Sequence, residues 1–257
     1  MKAQKDYRPL GCEECAGGAG LDFDFTMAFQ PIVNTINKEI FAYEALVRGL
    51  NNEPAGQVFE YVNDSNRYRF DQSCRVKAVK LAAELGVPSF LSINFMPNAV
   101  FRPELCIRTT LAAAETYDFP IERIIFEITE GEKVEDHAHL REIIEHYQLC
   151  GFKTAIDDFG AGYAGLNFLA EIRADFIKLD MALIRHIEQD KIRQVIIKGI
   201  LQVCTELSTT VIAEGIETYE EWSVLQSFGI ELFQGYYFAK PAFQALPTVS
   251  PKAYGDP

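Results

Sequence analysis

At 257 residues, with 48% apolar and 24% charged residues, the chain is long enough for one large α/β domain with a substantial core. A formal net charge of −13 excludes broad contact with a nucleic-acid backbone, which needs clustered Lys and Arg, but allows a small phosphate ligand if bound cations invert the local field. No stretch approaches the roughly 20 apolar residues of a membrane span, and the opening MKAQKDYRPL lacks the apolar core of a signal peptide, so a cytoplasmic protein is expected.

Residues 1–22 read as a poorly ordered, glycine-rich leader (GCEECAGGAG), too short to be a sensor domain, and 23–257 as one domain. Cys12 and Cys15 in the leader form a C-x-x-C, but no second pair or C/H cluster nearby completes a zinc site. The other cysteines are scattered singly, as expected in a reducing compartment.

Beyond the leader, short β-branched or aromatic runs alternate with helical segments. Strands are predicted at 28–33, 40–47, 90–95, 124–129, 154–158, 176–180, 210–213 and 232–238. Helices are predicted at 71–85, closed by Gly86, at 139–149 before Gly151, over the long periodic stretch 181–207, and at 219–228. The last opens on Thr218 with Glu221 three residues on, a capping-box signature, and closes at Gly229. Eight strand–helix repeats favour a closed barrel over an open sheet. Only NTINKE separates the first two strands, too little for a helical crossover, so they are expected to pair antiparallel. The predicted fold is a TIM-like (β/α)8 barrel with its first strand antiparallel.

Active sites of such barrels sit at the C-terminal strand ends, where this sequence concentrates its polar residues. Strand two carries Glu44, Leu46 and Arg48 on one face, and strand three carries Asn94 in FLSINF. Strand four reads IIFEITE, with Glu127 and Glu130; strand five ends in Asp157 and Asp158. Strand six carries Lys178 and Asp180 in FIKLD, strand seven ends in Glu214 with Glu217 beyond, and strand eight carries Gln234. So many carboxylates on one rim repel unless cations neutralise them, and all-oxygen donors select Mg²⁺ or Mn²⁺ over zinc or copper. Two such ions suit phosphoryl chemistry, with Asp157 or Asp158 bridging, Arg48 gripping a phosphate oxygen and Lys178 orienting the water. The structural alternative for Lys178 is a salt bridge to Asp180 or a neighbouring acid. The four histidines fall in predicted helices or their approaches and read as structural or exposed. Gly160, Gly162 and Gly165 spell G-x-G-x-x-G, but the two aspartates just before would repel a pyrophosphate, and a glycine-rich loop over a metal site fits better.

These residues resemble the EAL domain family, the cyclic di-GMP-specific phosphodiesterases of bacterial signalling. The matching segments are FQPIV, YEALVRG, SIN, EITE, DDFGAGYAGL, IKLD, AEGIE and QGYYFAKP, in the family's order over about residues 23–245. The resemblance implies hydrolysis of cyclic di-GMP to linear pGpG with two Mg²⁺ or Mn²⁺ ions, with Ca²⁺ inhibitory. A catalytically idle cyclic di-GMP receptor is the alternative within the family. Position by position, it makes Glu44, Asn94, Glu127 and Asp157 ligands of the first metal, with Asp157 shared, and Asp158 a ligand of the second. Glu214 resembles the acid near the second metal and the attacking water, Lys178 the lysine that holds that water, and Glu130 the anchor of the glycine-rich loop. Gln30, Leu46, Arg48, Asp71, Glu217 and Gln234 align with substrate-contacting positions. A homodimer is also implied, with the glycine-rich loop and its following helix near the contact. The loop departs from the frequent DFGTGYSSL in having Ala161, Ala164 and Gly165, and FMP follows Asn94 in place of the usual small-residue pattern.

Overall fold

The computed structural model describes residues 20–100, 102–129, 137–161 and 166–254; Cys12, Cys15, Glu130 and glycine-loop residues 162–165 lie outside them. Strands β1 (Thr26–Asn34) and β2 (Glu39–Arg48) form the antiparallel hairpin expected from the short NTINKE linker. Asn34 closes that turn, its Oδ1 accepting from the backbone N–H groups of Ile36 and Asn37.

From β2 onward each strand pairs parallel with the next. The order is β3 (Phe90–Phe95), β4 (Ile124–Thr129), β5 (Lys153–Phe159), β6 (Phe176–Leu179), β7 (Thr210–Ala213) and β8 (Leu232–Gln234). Strand β1 then pairs antiparallel with β8 as well as with β2, and the eight strands close. The chain is therefore an α/β barrel with one reversed strand. A ninth strand, β9 (Ala242–Phe243), continues the seam against Ala28 and Phe29 and has no counterpart in the predicted elements.

The connecting helices are α1 (Ala55–Phe59), α2 (Arg67–Glu84), α3 (Pro103–Cys106), α4 (Arg108–Thr116), α5 (His137–Leu149), α6 (Leu166–Glu171), α7 (Met181–Ile184), α8 (Lys191–Leu207) and α9 (Tyr219–Ser227). Helix α2 starts one turn before the predicted 71, and Gly86, with φ 67, ends it by letting Val87 N–H reach back to Ala82 O. Helix α9 carries the predicted capping box between Thr218 and Glu221.

The periodic stretch 181–207 is two helices, not one. Asp180 caps α7 through Ala182 N–H; Arg185 leaves the helix at ψ 122 and His186 turns at φ 57. Asp190 then caps α8 through Ile192 and Arg193 N–H. Two side-chain caps outweigh an apolar periodicity that runs through the break. Strand β8 likewise stops at Gln234, short of the predicted 238, because the chain turns at Gly235, where a Cβ would lie 2.0 Å from Ile216 O.

Inside the barrel, Ile32, Ala42, Ile125, Ala155, Phe176, Ile212 and Leu232 pack into one apolar layer. Each lies two residues from a polar residue in its strand or, for Glu214, just past the strand's end: Gln30, Glu44, Glu127, Asp157, Lys178, Glu214 and Gln234 respectively. With a side-chain period of two, an apolar floor lies under a polar layer all round the barrel. Among the described residues no helix is long and apolar enough to cross a membrane.

Candidate active site

The polar layer centres on Lys178, which is 1% exposed. Its Nζ lies 2.5 Å from Glu214, 2.9 Å from both Glu127 and Asp157, and 3.6 Å from Glu44. One ammonium thus faces four carboxylates from β2, β4, β5 and the end of β7. Asp180, its other suggested partner, caps α7 instead. Burial opposes the lysine's charge, but Asp157, Glu127, Glu214 and Glu44 together hold it protonated well above the ordinary lysine range.

The surplus negative charge shows on the acids. Burial pushes Glu127 well above the usual carboxylate range, and Glu44 and Asp157 push further against the pull of Lys178. Glu214 is raised in the same way, by burial and then by Asp157, Glu44 and Glu127. Asp158 is pushed up to about 6 by burial and by the charges of Asp157 and Asp180.

Amides and a hydroxyl orient these acids. Asn94 Nδ2 donates to one oxygen of Glu44 at 2.8 Å, and Gln234 Nε2 donates to the other at 2.7 Å. Gln30 accepts from Gln234 at 3.3 Å and donates to Ala239 O at 3.1 Å. Ser92 donates to Glu127 at 2.5 Å. Sequence reasoning passed over Ser92, although its place in SIN, two residues before Asn94, put it on the same inward face.

In a regular strand Asp157 and Asp158 would point to opposite faces. The β5–β6 register slips between Ile156 and Phe159, and Asp158 adopts φ 54. This bulge turns Asp158 to the side of its neighbour, so that oxygens of Asp157, Asp158 and Glu214 all lie within 4.8 Å of one another. They line a cavity of about 300 Å³ together with Gln30, Glu44, Lys178, Glu217, Gln234, Met181 and Tyr236.

The residues fit divalent cations. The donors are all oxygens, four of these carboxylates share one ammonium, and buried Asp157 Oδ1 accepts no hydrogen bond although Lys178 Nζ is 2.9 Å away. Aligned donors would leave no such orphan, whereas a cation needs one.

The remaining predicted residues separate. Glu217 reaches the cavity, its carboxylate held by Arg185 at 2.9 Å. Sequence inspection does not single out Arg185, because it sits in the break inside the predicted long helix. Leu46 and Arg48 stand half-buried near the end of β2, outside the cavity lining, with Arg48 donating to Val47 O at 2.7 Å. Asp71 lies in the helix layer, 2% exposed and bonded to Arg75 and Met96 N–H.

The geometry defines an α/β-barrel protein with an acidic, cation-fitting centre at the C-terminal strand ends. The chain belongs to the EAL domain family, whose model matches residues 21–241. A standalone versatile EAL protein from Vibrio cholerae O395, solved in its c-di-GMP-bound form, superposes with a TM-score of 0.89 at 58% identity, over 93% of this chain and 100% of that one. The blue light- and temperature-regulated antirepressor BluF of Escherichia coli K12 is 34% identical over 87% of this chain and 56% of its own length. The cyclic di-GMP phosphodiesterase PdeB of Shewanella oneidensis is 27% identical over 74% of this chain and 23% of its own. The chain thus spans about half of BluF and a quarter of PdeB.

Proposed function

We propose that this chain hydrolyses cyclic di-GMP to linear pGpG, using two Mg²⁺ or Mn²⁺ ions held in the acidic centre of the domain at 23–257. The observation that carries the reading is the ring of Glu44, Glu127, Asp157 and Glu214 around buried Lys178, with Asp158 turned in by the β5 bulge. Membership of the EAL family, the c-di-GMP-bound Vibrio relative and the similarity to PdeB support it.

In this reading Glu44, Asn94, Glu127 and Asp157 hold the first ion, and Asp157 and Asp158 the second. When bound, the ions supply neutralisation of the phosphodiester charge and a water acidified towards hydroxide. Lys178 Nζ donates a hydrogen bond to the attacking water and fixes its direction, while Glu214 takes up its proton. The water oxygen bonds to phosphorus, the P–O3′ bond opens, and the leaving ribose 3′ oxygen takes a proton from solvent water to become a hydroxyl, giving pGpG with a 5′ phosphate, while Glu214 returns its proton to solvent. Gln30, Leu46, Arg48, Glu217 and Gln234 contact the dinucleotide, with Arg48 pairing to a phosphate oxygen. Glu130 anchors the glycine-rich loop.

The test is chromatography of cyclic di-GMP incubated with purified protein and Mg²⁺, Mn²⁺ or Ca²⁺. The expected result is pGpG with the first two and inhibition by Ca²⁺. Glu44→Ala is expected to lose at least about 100-fold in kcat with an unchanged circular-dichroism spectrum. Intact substrate across all metals and pH values would exclude the enzyme.

BluF's name, an antirepressor, favours a second reading, a cyclic di-GMP receptor that acts through contact with a partner. Tight binding of cyclic di-GMP without turnover would select it. In either reading the family resemblance implies a homodimer. Ile192, Val195 and Ile196, exposed along one side of α8, support an apolar contact. Light scattering at micromolar concentration checks it.

A further inference from the structure

Arg75 on α2 is the largest fully buried side chain of the described residues, with no solvent exposure. Its Nη2 pairs with Asp71 one turn earlier at 2.5 Å, and its Nη1 donates to the Tyr147 hydroxyl of α5 at 3.0 Å. The guanidinium lies over three rings: Phe126 at 5.3 Å, Phe95 at 5.4 Å and Tyr147 at 5.8 Å from their centroids. A buried cation needs such partners, because leaving water costs several kcal/mol per ion. The identity of its neighbours is therefore informative.

Phe95 and Phe126 are the chain neighbours of two residues in the polar layer. Phe95 follows Asn94 on β3; Phe126 precedes Glu127 on β4. Asn94 and Glu127 are register partners across those strands, and alternation sends them into the barrel while the two phenylalanines face the helices. The rings meet edge to face at 5.7 Å on the outside, directly behind the inward pair. Asp71 adds a third hold, its Oδ1 accepting Met96 N–H at 2.9 Å, two residues past Asn94. Arg75 and Asp71 thus grip the backs of the two adjacent strand ends whose fronts carry Asn94 and Glu127.

We infer that Asp71 and Arg75 are positioning residues for the Asn94–Glu127 half of the cation site, and that Asp71 does not contact substrate. The inference rests on the reading above that Asn94 and Glu127 hold a cation. Outer-layer partners of this kind set ligand direction, and their loss typically weakens metal affinity or activity by about 10-fold or more.

The test is the double variant Asp71→Asn with Arg75→Met, which removes both charges together and keeps an oxygen for Met96 N–H. Three quantities are read on the folded protein: the Kd of Mn²⁺ alone by calorimetry, and kcat and KM for cyclic di-GMP at saturating metal. The expected result is a Kd for Mn²⁺ about tenfold weaker and a kcat about tenfold lower, with KM within about threefold of wild type. Two outcomes overturn the inference. A lower Tm with wild-type Kd and kcat makes the pair purely structural. A raised KM with wild-type Kd and kcat makes Asp71 a substrate contact. If the double variant does not fold, Tyr147→Phe, which takes only the hydroxyl from Arg75, is expected to weaken Mn²⁺ in the same direction, and wild-type affinity there overturns the inference. Wild-type protein that binds Mn²⁺ but turns nothing over would remove the enzymatic reading and leave the metal titration to decide this one.

Discussion

A single lysine explains most of the local chemistry of the centre. Lys178 is buried because β6 is covered on both faces, and it stays charged because four carboxylates surround it. The same geometry leaves those acids short of positive charge. Glu127 and Glu214 are held above the usual carboxylate range, and Asp158 at about 6 against an ordinary 3.8. A carboxylate whose folded pKa is raised takes up a proton more readily folded than unfolded. Its contribution to stability is full below the unfolded value and is lost as pH rises through the folded one. For Asp158 that window runs from 3.8 to about 6. Protons and cations compete for the same oxygens, so metal binding should stabilise most where the protons have left. The rise in Tm on adding saturating Mg²⁺ should be larger at about pH 7.5 than at about pH 4.5. Differential scanning fluorimetry reads this directly, and equal shifts at the two pH values would show that the cation does not bind these carboxylates.

At the scale of elements, one irregularity decides which acids meet. The bulge in β5, with Asp158 at φ 54, converts an adjacent Asp pair from opposite faces to one side. Asn tolerates a positive φ, whereas a β-branched residue does not. Asp158→Asn should therefore keep the bulge and, by removing a repelled charge, raise the metal-free Tm at pH 8 while lowering metal affinity. Asp158→Val should be less stable than Asp158→Asn by about 1–2 kcal/mol in urea unfolding, the cost of a side chain forced into the left-handed region. Equal stability of the two variants would mean that the bulge relaxes. The Thr218–Glu221 capping box, the Gly86 helix end and the short NTINKE hairpin were all legible from residue chemistry, because each is a local contact between near neighbours in the chain. The bulge and the break between α7 and α8 were not. A register slip depends on the neighbouring strand, and the apolar pattern of 181–207 runs through a turn that Asp190, His186 and the distant Glu221 stabilise.

At the scale of the whole molecule, closure depends on the reversed strand. Because β1 runs against its neighbours, its first half lies at the C-terminal end of the parallel strands, with Gln30 opposite Glu44. Strand β8 covers only Ile32 to Asn34 of that edge, and β9 covers Ala28 and Phe29 above it. The seam beside the site is therefore completed by residues that follow the family match at 241. Deleting everything after residue 241 should cost about 1–3 kcal/mol, lowering Tm by about 2–10 °C. It should also weaken Mg²⁺ binding, because Gln30 and Glu44 share the loosened seam. Thermal melts with and without Mg²⁺ check both effects, and an unchanged melt would make β9 dispensable.

The sequence by itself determined the barrel class, the reversed first strand and the inward polar positions on every strand from β2 to β8, because these follow from hydrophobic period, loop length and side-chain alternation. The motifs also carried the family. Only the tertiary structure decided that Asp158 turns towards Asp157, that Asp180 caps a helix while Lys178 takes four acids, and that Asp71 pairs with Arg75 and Met96 N–H in the helix layer. Asp71 and Arg75 are four residues apart on one helix, and nothing along the chain links them to Phe95, Phe126 or Tyr147. Those contacts exist because barrel closure brings α2, β3, β4 and α5 together, and a buried charge is intelligible only once all its partners are in place.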